Sequence, residues 1–250
     1  SEDLALRTAE RLTSITHRLG IPFIYKSSYE KDNRSSQEHY RGPGIDKGLR
    51  ILEKVKEEFD VPVLSDVHRE SDVDAARDVL DVIQIPAYLC QQTSLLLKVG
   101  HSKRAVNVKK GQFLAPETMR SAVEKLESTG NRRILLTERG TSFGYSRLVS
   151  DVCSLPIMKS LGHPVVFDAT HIVRIYGVPS ADPRGGVPQF IPTLVRAGVA
   201  AGANALFLET HPDPPRALCD AASMVRLDAL EGLLRQSMEI ARLLRKWGES

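Results

Sequence analysis

The chain predicts a (β/α)8 barrel, and three features carry that expectation. Short β-branched runs recur from end to end. Each is followed by a polar loop and then a stretch with helical periodicity, and the runs read as buried on both faces. The strand-like runs lie at 22–28 (PFIYKSS), 61–67 (VPVLSDV), 82–86 (VIQIP), 105–109 (AVNVK), 134–139 (ILLTER), 165–170 (VVFDAT) and 205–211 (ALFLETH). Helical periodicity fills 48–59, 71–80, 93–99, 116–128, 146–160 and 190–201. The first helix is predicted over 4–19, with Ser1 as its N-cap and Glu2 and Asp3 in its first turn. The leucine spacing of 227–247 suits a closing helix. A barrel of this class has a strand ahead of its first helix, so the sequence predicts that a first strand and its loop are missing before residue 1. No linker or shift of composition divides the chain, which reads as one N-terminally truncated domain over 1–250.

Composition narrows the function. Of 250 residues, 42% are hydrophobic and 26% charged, which excludes disordered, collagenous and disulfide-scaffold classes. No run approaches the roughly 18 apolar residues of a membrane span. The opening residues carry no basic-then-apolar leader, so no membrane partner is expected. Cys90, Cys153 and Cys219 are odd in number and widely spaced, pointing to a reducing, cytoplasmic compartment. A net charge of +3 is too small to argue for a nucleic-acid partner. No G-x-G-x-x-G or G-x-x-x-x-G-K-[ST] pattern occurs, and no organic cofactor is expected.

Barrels place their chemistry at the C-terminal ends of the strands. Reading those ends in order gives Lys26, Asp66, Gln84, Lys109, Arg139, His171 and Glu209. Any one of them could be a solvated terminus. Seven polar residues on the catalytic face are harder to explain that way. Lys26, Lys31, Arg34, Lys109 and Arg139, with Lys110 beside them, would repel one another unless an anion joined them, so the ligand expected is multiply anionic, such as a phosphorylated carboxylate. His171, Glu209 and Asp220 form a second set. They suit either the first shell of a divalent metal such as Zn, Fe or Mn, or a hydrogen-bonded polar network. His68 and His211 read as core or supporting histidines. The long loop 173–189 reads as a lid, hinged at Gly185-Gly186.

Several motifs then carry a family resemblance. Lys26-Ser-Ser-Tyr-Glu-Lys-Asp-Asn-Arg-Ser-Ser36, Ile83-Gln-Ile-Pro-Ala87, Asn107-Val-Lys-Lys110, Leu136-Thr-Glu-Arg-Gly140, Phe143-Gly-Tyr145, Asp168-Ala-Thr-His171 and Glu209-Thr-His-Pro-Asp213 resemble, in order, the 3-deoxy-D-manno-octulosonate 8-phosphate synthase family. The stretch Asn33-Arg-Ser-Ser36 separates it from the sister synthases that use erythrose 4-phosphate and have a Pro-Arg-Thr type motif there.

The resemblance implies a cytoplasmic homotetramer that condenses phosphoenolpyruvate with D-arabinose 5-phosphate and water in lipopolysaccharide biosynthesis. It implies that Lys109 and Arg139 hold the phosphoenolpyruvate phosphate, with Gln84 and Ala87 lining the pocket. Lys26, Ser28 and Lys31 would take its carboxylate side. Asn33, Arg34 and Ser35 would contact the pentose phosphate, and Asp66 would orient sugar or water. Leu136-Thr-Glu-Arg-Gly140, Ser154-Leu-Pro-Ile-Met-Lys159 and Asp220-Ala-Ala-Ser223 resemble the metal-dependent branch. His171, Glu209 and Asp220 match three of that branch's ligands. The fourth is a cysteine in a Gly-Pro-Cys loop that none of the three cysteines here matches. One departure is Tyr88-Leu-Cys-Gln-Gln-Thr-Ser94, where the family places Arg at position 91 to reach a neighbouring subunit's sugar phosphate. Gln91 keeps open the same chemistry on another aldose phosphate, and the absent first strand keeps open an inactive barrel that only binds phosphorylated ligands.

Overall fold

A computed structural model describes residues 1–32, 38–179 and 182–248. The chain separates into two compact units, Ser1–Val108 with Ser121–Ile134, and Lys109–Arg120 with Leu135–Ser250.

The first unit opens on α1 (Glu2–Leu19), capped by the Ser1 hydroxyl, which accepts from the Leu4 amide at 3.3 Å. Gly20 ends it in the left-handed conformation at φ 65°. Then come β1 (Tyr25–Lys26), α2 (Ile45–Phe59), β2 (Val63–Asp66), α3 (Val73–Val79), β3 (Val82–Ile85), α4 (Thr93–His101) and β4 (Ala105–Lys109). The strands are parallel and pair in sequence order, with Asp66 opposite Gln84 and Gln84 opposite Asn107. Every residue of β2 and β3 is buried, the mark of a sheet covered on both sides. Helix α5 (Arg120–Glu127) follows a 3-10 turn over Pro116–Met119.

The second unit holds the rest of β5 (Ile134–Glu138), then β6 (Thr141–Phe143), β7 (Arg147–Val149), α6 (Ser154–Lys159), β8 (Val165–Asp168), α7 (Ala169–Ile172), α8 (Ile191–Ala200), β9 (Ala205–Phe207), β10 (Thr210–His211), β11 (Val225–Arg226) and α9 (Leu230–Lys246). Strands β5, β8 and β9 pair in parallel. Helix α8 lies so close to β8 that a β-carbon on Gly198 would come within 2.3 Å of the Phe167 ring. Seven parallel strands alternating with helices are the pattern of the (β/α)8 barrel class, as the sequence predicts.

Three predicted elements differ. The helix expected over 146–160 is only α6, because 141–149 folds as the antiparallel hairpin β6–β7. Gly144 turns that hairpin at φ 68°. The strand expected over 165–170 stops at Asp168, whose carboxylate accepts from the Thr170 and His171 amides and starts α7. The strand expected over 205–211 splits after β9. Its continuation instead pairs with β11, where the Val225 amide donates to Glu209 and the Leu227 amide to His211.

Candidate active site

In the second unit, Asp168 is the hub. Its Oδ2 accepts from Lys109 Nζ at 2.6 Å and lies 2.7 Å from His171 Nδ1. Its Oδ1 takes the Thr170 hydroxyl at 2.9 Å and the His171 amide at 3.0 Å. Burial alone would raise this carboxyl, but the charges of His171 and Lys109 outweigh it and hold Asp168 well below the usual carboxylate range. Lys109 also lies 3.7 Å from the centre of the Phe207 ring.

Because Asp168 holds His171 Nδ1, the Nε2 side is turned to Glu209, with Oε1 at 3.6 Å. One ligand atom each from His171, Glu209 and Asp220 lies within 4.8 Å of the others. One imidazole and two carboxylates, with the imidazole oriented from behind by a third carboxylate, fit a borderline divalent metal. Asp220 is held at φ 54° and opens the 3-10 turn Ala221–Ser223. Arg139 follows β5, and its Nη1 donates to the Tyr176 hydroxyl at 2.8 Å. Its Nε is buried with no hydrogen-bond partner among the described residues, a donor suited to an incoming anion.

In the first unit, Lys26 ends β1 and Asp66 ends β2. Lys26 Nζ donates to Ser28 Oγ at 2.9 Å, and that hydroxyl donates to Asp66 Oδ1 at 2.5 Å. Lys26 itself stays 3.7 Å from Asp66, and His68 Nε2 lies 3.4 Å away on the other oxygen. Burial opposes ionisation of Asp66, but Lys26, Lys31 and His68 together hold it below its ordinary value. Gln84 accepts from the Asn107 amide group at 3.0 Å, and buried Ala87 opens the 3-10 turn after β3. Asn33, Arg34 and Ser35 lie outside the described residues.

Two expectations are corrected. Lys110 is fully buried, and its ammonium is held by the carbonyls of Gly111, Leu114 and Gly140 and the Thr141 hydroxyl. It is a structural cation that pins the loop after β4. Gly186 is not a hinge, since its backbone is extended at φ −171° and a β-carbon there would meet the Ala222 carbonyl oxygen at 2.2 Å. His211 accepts from the Asp213 amide at 2.9 Å and shapes a turn, the supporting role the sequence suggests. The sequence reading missed Asp168, which sits inside the predicted strand run 165–170, three residues before His171. It also missed Tyr176 and Arg174, which it had left inside the loop.

The DAHP synthetase I family matches residues 1–246. The chain belongs to the DAHP synthetase I family. This family member is similar to proteins named 2-dehydro-3-deoxyphosphooctonate aldolase. With that of Acidithiobacillus ferrooxidans it is 56% identical over 235 residues, covering 94% of this chain and 83% of that protein. With that of Syntrophotalea carbinolica it is 51% identical over 250 residues, covering 100% and 90%. With that of Geobacter sulfurreducens it is 49% identical over 245 residues, covering 98% and 90%. The strand-end residues described above are thus those of a DAHP synthetase I chain.

Proposed function

We propose that this chain, working as one synthase domain over 1–250, condenses phosphoenolpyruvate with D-arabinose 5-phosphate and water to give 3-deoxy-D-manno-octulosonate 8-phosphate and phosphate. The observation that supports it best is the pair of buried cations Lys109 and Arg139, placed in the same unit as the His171, Glu209 and Asp220 group. Lys109 and Arg139 take the phosphate of phosphoenolpyruvate. Gln84 and Ala87 line that phosphate's pocket, Lys26, Ser28 and Lys31 take the carboxylate side, and Asn33, Arg34 and Ser35 take the sugar phosphate.

The enol carbon attacks the aldehyde, whose oxygen takes up a proton, and positive charge develops on the carbon bearing phosphate. Water adds there and gives up a proton. The resulting hemiketal phosphate expels inorganic phosphate. Asp66 orients sugar or water, and Asp168 keeps Lys109 and His171 in place while charge moves. His171, Glu209 and Asp220 would hold a zinc, iron or manganese ion, which when bound supplies Lewis acidity toward the aldehyde or water.

A cytoplasmic homotetramer serving lipopolysaccharide synthesis completes the reading. No helix among the described residues is long and apolar enough to cross a membrane. Exposed Phe113, Phe143 and Tyr145 support assembly with further copies. The test is phosphate release from phosphoenolpyruvate with arabinose 5-phosphate, and with other pentose and tetrose phosphates, with and without chelator. Turnover confined to arabinose 5-phosphate, lost with chelator and restored by a divalent metal, is expected. Equal turnover of several acceptors overturns the substrate, and no turnover of any overturns the enzyme.

A further inference from the structure

Arg174 lies three residues past His171, at the start of the loop the sequence reads as a lid. Its backbone forms an antiparallel bridge with Gly186, flanked by bonds from the Ile175 amide to Gly185 at 2.9 Å and from the Val187 amide to Val173 at 3.0 Å. Gly186 in turn is packed on the turn that Asp220 opens, since the Ala222 carbonyl would lie 2.2 Å from any β-carbon placed there. The segment carrying Arg174 is therefore locked against the segment carrying Asp220 by backbone contacts that admit no side chain.

Across this junction Arg174 Nη1 faces Asp220 Oδ1 at 3.9 Å, and both side chains are 11% exposed. Nη1 is buried without a hydrogen-bond partner among the described residues. A guanidinium stays charged at any working pH, and burying one incompletely satisfied is costly unless its charge has a use. Here it faces Asp220, whose carboxylate lies close to that of Glu209, and two carboxylates so placed repel each other.

We infer that Arg174 is a fixed counter-charge for Asp220, holding that carboxylate in place for a divalent metal and, because it stays when the metal arrives, lowering the affinity of the His171, Glu209 and Asp220 group for that metal. This rests on the metal reading proposed above. The opposing effects have separate signatures. A positioning role alone predicts weaker metal binding when the guanidinium is removed, whereas a like charge beside the ligand predicts tighter binding. With the backbone already locking Asp220, the charge effect dominates.

The test is a zinc titration of the full-length protein against a chromophoric chelator at fixed pH, comparing wild type with Arg174→Gln and Arg174→Lys. Arg174→Gln should bind zinc about tenfold more tightly, and Arg174→Lys, which keeps the charge, should stay within about threefold of wild type. Equal or weaker binding by Arg174→Gln overturns the inference. If Arg174→Gln does not fold by circular dichroism, Arg174→Lys decides, because a change of about tenfold or more in either direction overturns it. A wild type whose zinc uptake is absent, or is unchanged by His171→Ala, overturns both this inference and the metal assignment. Phosphate release then shows separately whether the condensation stands.

Discussion

Two buried aspartates end parallel strands, Asp168 on β8 in one unit and Asp66 on β2 in the other, and each is held ionised by nearby lysine and histidine. They differ in how tightly those partners are bound. Asp168 has Lys109 and His171 at 2.6 and 2.7 Å, with a hydroxyl and two amides filling its other oxygen. Asp66 has one short bond from Ser28, while Lys26 and His68 stand off at 3.7 and 3.4 Å. A saturated carboxylate fixes its neighbours, whereas Asp66 holds its partners less closely. On the proposed reaction, Asp168 is scaffold for Lys109 and His171, and Asp66 belongs to a site that completes itself on the substrate.

Asp168→Asn should have the largest effect. It removes the carboxylate that pairs with the buried Lys109 and the acceptor that sets the His171 ring, costing about 3–5 kcal/mol of stability in a denaturant melt. Phosphate release should fall by about a thousandfold or more. Retention of both would mean that Lys109 and His171 are placed by packing.

Asp66→Asn should cost less stability, about 1–3 kcal/mol, and slow turnover by about a hundredfold. It also has a pH signature. A carboxyl whose folded pKa is depressed contributes stability above its unfolded pKa, near 3.9, and loses it as the pH falls toward the folded value. Wild type should therefore lose stability below about pH 4 more steeply than Asp66→Asn. Parallel acid limbs in urea melts would remove the ionic account of this site.

What the sequence showed of these two clusters follows from what each depends on. Lys26, Asp66, Lys109 and Arg139 were legible because strand termini in a repeating β/α pattern can be read from β-branched runs and their polar ends. Asp168 was hidden because it sits inside the run VVFDAT and turns the backbone with its own carboxylate, a side-chain effect that periodicity does not register. Lys110 was misread because direction into a loop of carbonyls rather than toward a ligand is set by the path of 111–114, which no local pattern encodes. The hairpin over 141–149 failed for a related reason: three-residue strands are too short to show a period of two against a helical background.

A pair of glycines sharpens the contrast. On Gly48 in α2 a β-carbon would lie 2.3 Å from Tyr29 Cβ and 2.8 Å from its Cα, so Gly48→Ala must shift the backbone between Ser28 and Lys31. On Gly198 the clash is with the Phe167 ring, one residue before Asp168. Both substitutions should cost about 1–3 kcal/mol. Gly48→Ala should also raise the KM for phosphoenolpyruvate by about tenfold, because the loose cluster follows its loop, whereas Gly198→Ala should leave KM within about twofold. Equal KM effects would show the two clusters to be equally pliable.

The smallest effect is expected at Tyr25, which precedes Lys26 in β1 but faces the other way, its hydroxyl donating to the Ala5 carbonyl at 3.5 Å. That bond is long, so Tyr25→Phe should cost under about 1 kcal/mol at neutral pH and leave turnover unchanged. Burial pushes the phenol up to about 12, against a small opposing contribution from Ser27. The folded state therefore keeps a proton that the unfolded chain releases near pH 10, and stability falls as the pH rises from about 10 to 12. Tyr25→Phe should flatten that alkaline limb, read from urea melts over the same range. Because the substitution disturbs β1 without touching the Lys26, Ser28 and Asp66 contacts, it isolates the strand from the cluster. If Tyr25→Phe slowed phosphate release as much as Asp66→Asn, the loss at Asp66 would reflect a fragile first strand, and the stand-off of its cations would carry no functional meaning.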